Sequence, residues 1–412
     1  MKKHGVMLFT FVILFLTLGC DLAYGQGEEG NEKKEVTVTL DFTGLNYGLK
    51  GNDPIKPPIL NKGVIVQNVN FFLSGRIYVN SKYIRLSYWD DLGQIGISVP
   101  KDNTIKSISI ATKEDNESEF LLSYIKGNVK QEITWSHKKN ADKNLIKKLT
   151  IDSDHITLAP TLKADSYITS ITLTYTRPKL DATLDEKGEN VESTISGIVG
   201  ENKTLALNRT FNPSQLYTMC LPFDLSKDMI TEIFGNETKV YSYDGYQNGE
   251  LSFSTVKENV VKAGMPFLMR SEYYVEQPTF AGVTVKSTSA QTVGGGEWDF
   301  CGTFGSYELA ADGTQLFLWA DGTLVRPKAN SRTMRGFRCY LQKHTGTVNG
   351  SAQLPSVTID GETNAIKTAE YAAPTSATTA YSLSGMKLNA GCKTANGGIM
   401  IIDGKKFITT NR

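Results

Sequence analysis

His137, His155 and His344 are the histidines that follow the amino-terminal leader region, and each stands alone. None has a second histidine or a cysteine at the spacing of a tetrahedral metal site. No Gly-x-Ser-x-Gly elbow presents a nucleophile. Gly294-Gly295-Gly296 has the look of a phosphate loop, but no Gly-Lys-Ser/Thr and no helix pattern follow, so it reads as a turn. Asp312-Gly313-Thr314 and Asp321-Gly322-Thr323 repeat nine residues apart. Calcium would need more oxygen ligands than each loop carries; Asp-Gly on both sides of the strand Gln315 to Trp319 reads better as tight turns. A glycosidase pairs its carboxylates in space and not in sequence, so 43 acidic residues leave that chemistry open without naming a pair. No cofactor is expected.

Recognition chemistry remains. Sugars and peptides are held by open aromatic faces beside polar groups, and two stretches fit that description. Tyr88-Trp89-Asp90-Asp91 sets a tryptophan at a turn with carboxylates beside it, and Tyr241-Ser242-Tyr243-Asp244-Gly245-Tyr246 sets three tyrosines around another turn. The candidate ligand-binding residues are therefore Tyr88, Trp89, Asp90, Tyr241, Tyr243 and Tyr246. The competing reading is structural: along a strand, Tyr88 and Trp89 point to opposite faces, one to the core and one to cover the surface. Cys220, Cys301, Cys339 and Cys392 allow three pairings. Cys301 and Cys339 share one region and strand-like surroundings, so a disulfide between them is open, against the alternative of two small buried apolar residues.

These side chains have to be positioned by β-structure. Thr, Ser, Tyr, Val, Ile and Gly are abundant, and long Ala/Leu/Glu/Lys helical stretches are absent. Formal charge is +1 with both signs interleaved, which excludes the electrostatic footprint of a nucleic-acid binder. Lys2, Lys3 and His4 followed by the apolar run Val6 to Leu18 form a secretory signal, too short to span a bilayer, and no transmembrane span is expected. Cleavage fits two places: after Ala23-Tyr24-Gly25, or before Cys20, which would then be lipidated. The length beyond a signal over 1–25 suggests two or three domains.

A first region over 36–178 carries about eight strands by alternation and turn chemistry, the pattern of a β-sandwich or jelly roll. Ile105, Ile108 and Ile110 break strict period two and predict a bulge. Residues 179–203 read as a linker or lead-in strand. A second β-rich domain, also expected to be β-sandwich- or jelly-roll-like, follows over 204–346, with one short helix predicted at 226–235: Ser226 caps it, Asp228 sits in its first turn and Gly235 ends it. A small β-module occupies 356–412, opening on the strand Val357-Thr358-Ile359.

The tail residues Tyr381, Leu383, Gly385, Gly398 and Gly404-Lys405-Lys406 resemble the type IX (Por) secretion sorting domains of exported Bacteroidetes proteins, with Met400 where that pattern prefers an aromatic. Leu207-Asn208-Arg209-Thr210, Cys220-Leu221-Pro222-Phe223, Ala263-Gly264-Met265-Pro266-Phe267-Leu268 and Gly336-Phe337-Arg338-Cys339-Tyr340 are similar to a module of Bacteroides and Prevotella surface proteins. The resemblance implies a cell-surface, outer-membrane or extracellular destination and export machinery as a partner of the tail. It brings no catalytic residue. The expected function is non-catalytic binding or adhesion toward a glycan or a host or matrix protein. The alternatives are a carbohydrate-active enzyme with unrecognised carboxylates and a fimbrial or surface structural component.

Overall fold

Along Val69–Val79, apolar and polar residues alternate, and every second side chain is buried as far as Leu73. That is the period a half-buried strand imposes. Its first part pairs antiparallel with Ile59–Val66 on one side and Gln94–Ser98 on the other. Its last residues pair with Ile84–Leu86 instead. Gly75 stands at the changeover with φ 80°, where a Cβ would lie 2.1 Å from the Leu92 carbonyl oxygen. A strand that changes partners this way turns the corner of a sandwich.

The computed structural model describes residues 33–43, 47, 49, 59–80, 82–88, 91–113, 116–137, 149–161, 165–213, 215–258, 260–319, 322–327, 333–344, 354–363, 380–382, 387–388, 399–402 and 405–408. The chain is mainly β, with two short helices among these residues. Around the corner strand, one layer joins Ile84–Leu86, Ser166–Pro178, Ile105–Thr112 and Leu149–Ser153, with Lys33–Asp41 beside Ser166–Pro178. The other joins Val129–His137, Ser118–Lys126, His155–Pro160, Gln94–Ser98 and Ile59–Val66. Leu40, Phe71, Ile97, Leu122 and Ile171 are among the residues of their shared core. The broken spacing of the three isoleucines coincides with register shifts at Ile105/Ser107 and Thr174/Tyr175.

The second core gathers residues from Leu184 to Ile359, together with Ile65. Its frame is a six-stranded sheet of Tyr217–Met219, Phe267–Arg270, Lys239–Gln247, Glu250–Thr255, Ser356–Ile359 and Glu362–Thr363. A five-stranded sheet follows, in the order Thr292–Val293, Trp298–Thr303, Arg338–Lys343, Gln315–Leu318, Leu324–Val325. The two regions are not strung on a bare linker. Tyr274–Glu276 adds itself parallel to Ile59–Val66, Thr279 and Asn68 bond to each other, and the Tyr175 hydroxyl donates to the Gln67 carbonyl at 2.6 Å.

Two segments carry more structure than the sequence expectation specified. Between 179 and 203 the chain forms a strand, Ala182–Asp185, parallel to Gly200–Asn208, and a helix, Val191–Gly197, which buries Val191 and Ile195. Ser356–Ile359 is not part of a separate tail: it pairs parallel with Glu250–Thr255, and Asp360 accepts from the Thr255 N–H at 2.7 Å. In the tail proper, Ala380–Ser382, Lys387–Leu388, Ile399–Ile402 and Lys405–Ile408 form a four-stranded sheet.

The predicted helix spans Lys227–Phe234, with Ser226 Oγ accepting from the Met229 N–H and Ile230, Ile233 and Phe234 buried. Ser226→Ala is expected to cost about 1 kcal/mol, read as a lower urea midpoint at unchanged m-value. Among the described residues no helix is long and apolar enough to cross a membrane.

Candidate functional site

Arg338–Lys343 alternates half-buried and buried, sending Cys339 and Leu341 into the core and Arg338, Tyr340 and Gln342 to the outer face of its sheet. Register sets Cys301 and Phe317 opposite Tyr340 on its two neighbours, and Thr303 opposite Arg338. Tyr307 stacks on Tyr340, with ring centroids 4.8 Å apart and planes 11° from parallel. Gln315 Nε2 donates to the Tyr307 hydroxyl at 3.2 Å and to Gln342 Oε1 at 2.7 Å, which fixes the stack laterally. Beyond Phe317 lies Trp319, centroids 6.4 Å apart. The Trp319 backbone N–H donates to the Thr323 carbonyl at 2.9 Å, and the Gly322 N–H donates back to the Trp319 carbonyl at 2.8 Å. Trp319 is 55% exposed. Tyr307, Tyr340, Phe317 and Trp319 thus form a strip across one sheet face.

One end of the strip opens on a cleft of about 710 Å³ whose lining includes Tyr307 and Tyr340. The helix Val191–Gly197 supplies Glu192 and Ser196 to one wall; Lys286, Ser287, Thr288 and Ser289 form part of another. Gly302 also lines it, and a Cβ there would lie 2.5 Å from Cys220 Sγ, so the backbone is pressed onto the core. Burial, followed by the hydrogen bond its neutral O–H makes to Tyr307, pushes the Tyr340 hydroxyl far above its ordinary range, so it remains a neutral phenol. The arrangement is an aromatic platform leading to a recess rich in hydroxyl groups. It offers stacking and hydrogen bonding.

Beside the cleft sits a charge node whose inner members, Glu186 and Arg209, are buried. Glu186 accepts from Arg335 Nη1 at 2.8 Å and Arg338 Nη2 at 2.7 Å, and Arg209 Nε lies 3.7 Å away. Arg209 is flanked by the Phe211 and Tyr217 rings, each centroid 5.2 Å from its guanidinium carbon, and its Nη1 donates to the carbonyls of Thr218 and Phe337. Burial, then repulsion from Arg338, pushes its pKa down to about 9, so it is still charged at neutral pH.

The residues expected from sequence fall elsewhere. Tyr241 and Tyr243 are core residues, which corrects their reading as ligand contacts. Tyr243 packs on Phe253 and Phe300, and its hydroxyl donates to the Trp298 carbonyl at 2.9 Å. The face of Lys239–Gln247 that carries both tyrosines is the covered one. Tyr246 is half-buried against the same core. Tyr88 is half-buried, its N–H bonded to Asp165 at 3.2 Å, and Trp89 and Asp90 lie outside the described residues.

The Cys301–Cys339 bridge is likewise corrected. Both are free thiols, and register pairs Cys301 with Tyr340 and Cys339 with Gly302, so the two side chains leave opposite faces of the sheet. Cys20, Cys392 and Asp321 lie outside the described residues. Asp312 accepts from the Thr314 N–H and hydroxyl, the turn its sequence suggested. Sequence reading missed the strip because Tyr307, the Phe317/Trp319 pair and Tyr340 come from separate stretches of the chain. The one local signal was Phe317-Leu318-Trp319, two aromatics at strand spacing ahead of an Asp-Gly turn.

No protein-family model and no curated protein matches the sequence. Among solved structures, the chain is similar to the family 32 CBM from C. perfringens NanJ in complex with galactose, at 11% identity and TM-score 0.18, over 34% of this chain and 93% of that one. It is also similar to the binding domain of Botulinum Neurotoxin DC in complex with SialylT, at 10% identity and TM-score 0.17, over 68% of this chain and 90% of that one. Likenesses this slight carry no argument about fold or ligand.

Proposed function

We propose that the chain is an exported, non-catalytic surface protein that binds a saccharide along the strip from Trp319 to Tyr307 and into the adjoining cleft. The observation that carries this is the exposed Trp319 ring in line with Phe317, Tyr340 and Tyr307 beside a hydroxyl-rich recess. A pyranose presents an apolar C–H face to an aromatic ring and its hydroxyls to polar neighbours, and this surface offers both. Among its described lining residues the cleft holds one carboxylate, Glu192, where glycoside hydrolysis uses two facing each other. That favours binding over cleavage. Export is supported by the amino-terminal run of Lys2, Lys3, His4 and Val6 to Leu18.

A glycan array followed by calorimetry on the strongest ligand tests the reading. Trp319→Ala is expected to weaken binding about tenfold or more, while the thermal midpoint stays put because the ring is already exposed. Absence of saccharide binding, or binding that ignores Trp319→Ala, would sink it.

A further inference from the structure

Three guanidiniums meet at the node beside the cleft, and among the described residues Glu186 is the one carboxylate any of them reaches within 4 Å. The node therefore holds a surplus of positive charge. Arg209 is sealed inside, with 2% of its side chain exposed, but Arg338 is 30% and Arg335 53% exposed. Each of the outer two gives Glu186 a single Nη, so donors remain on both, and Arg338 Nε is buried with no partner.

Their placement ties the surplus to the cleft. Arg338 is two residues from Tyr340 on the same face of the strand, opposite the cleft residue Thr303. Arg335 follows Met334, the cross-strand partner of Tyr307. By register, Arg338 thus shares a strand face with Tyr340, and Arg335 comes one residue after the partner of Tyr307. Glu192 lies on the wall supplied by the helix, and Lys286 is paired with Asp224 at 2.9 Å. Two guanidiniums with free donors beside an aromatic platform match a planar carboxylate or a sulfate better than a neutral hydroxyl.

We infer that the bound saccharide is anionic, and that Arg335 and Arg338 hold its carboxylate or sulfate at the cleft end of the strip; this rests on the saccharide-binding reading above. Arg335 is the contact that decides selectivity, since Arg338 also supports Glu186 from a more buried position.

The test uses the full chain and matched sets of uronate-bearing, sulfated and neutral oligosaccharides, first on an array and then by calorimetry. Anionic members should bind about tenfold more tightly than their neutral counterparts, with affinity falling as salt is raised. The carboxylate and sulfate arms show which group is preferred. In Arg335→Gln the anionic-to-neutral affinity ratio should fall roughly fivefold to tenfold, whereas Trp319→Ala should weaken both classes and keep the ratio. Neutral saccharides binding as tightly as anionic ones overturn the inference and leave the saccharide-binding reading intact. Failure of every saccharide to bind overturns both. Selectivity that survives Arg335→Gln in a variant of normal thermal midpoint also overturns the inference.

Discussion

Glu186→Ala is expected to destabilise the chain by about 3–5 kcal/mol, because removing one partner of a buried ion cluster leaves the others uncompensated. Glu186 is 7% exposed at its side chain and is the counter-charge of Arg209, Arg335 and Arg338. The substitution would leave Arg209 charged in a site that water does not reach, with Arg338 pressing on it. It would also untie the turn after Ala182–Asp185 from Arg338–Lys343, and so loosen the cleft wall. Urea unfolding with a clear drop in midpoint checks this, and a midpoint like that of the unaltered chain would refute it. Glu186→Gln keeps the shape but not the charge, and should fall in between.

The same carboxyl predicts a pH dependence. Burial pushes the Glu186 pKa up, but Arg338, Arg209 and Arg335 together pull harder, and the net shift is downward. A carboxyl depressed in the folded state adds stability that is fully present above its unfolded value of about 4.3. That stability is lost as pH falls through the folded value. The unaltered chain should therefore lose stability more steeply below about pH 4 than Glu186→Gln does.

The fold was legible where one element carries its own signal. Ser226, Asp228 and Gly235 bracket the helix Lys227–Phe234 because capping and dipole effects act within a single turn. Alternation located Val69–Val79 because a strand records its buried side at every second residue. The same rule gives no clue to which layer covers a face. Tyr241 and Tyr243 share a side of Lys239–Gln247, as period two requires; Phe253 faces Tyr243 on the adjacent hairpin strand, but that this side is covered by Phe300 depends on Trp298–Thr303, far along the chain. The charge node was invisible for the same reason, since Glu186 and Arg338 stand 152 residues apart. The helix Val191–Gly197 escaped because its N-cap, Asn190, makes no side-chain bond and its turn count is small. The strip needed Gln315–Leu318 in register with Arg338–Lys343, and Tyr307 stacked on Tyr340 from a separate strand pair, before its four rings could be read as one surface.

Tyr243→Ala separates core from ligand surface, with an expected loss of about 3–5 kcal/mol, the range for emptying a buried aromatic site. The ring contacts Phe253 at 5.1 Å and Phe300 at 5.7 Å between centroids. On its third side Gly295 approaches so closely that a Cβ there would lie 2.3 Å from Tyr243 Cε1. Such packing cannot collapse cheaply around a hole. Tyr243→Phe, which removes the hydroxyl bond to the Trp298 carbonyl, should cost about 1 kcal/mol. Thermal and urea unfolding of both variants measure these losses; saccharide binding by whatever fraction stays folded should keep its affinity. Trp319→Ala predicts the reverse, with affinity lost and stability kept. If Tyr243→Ala left stability untouched and abolished binding, the ligand surface would belong at the tyrosine turn and not on the outer strip.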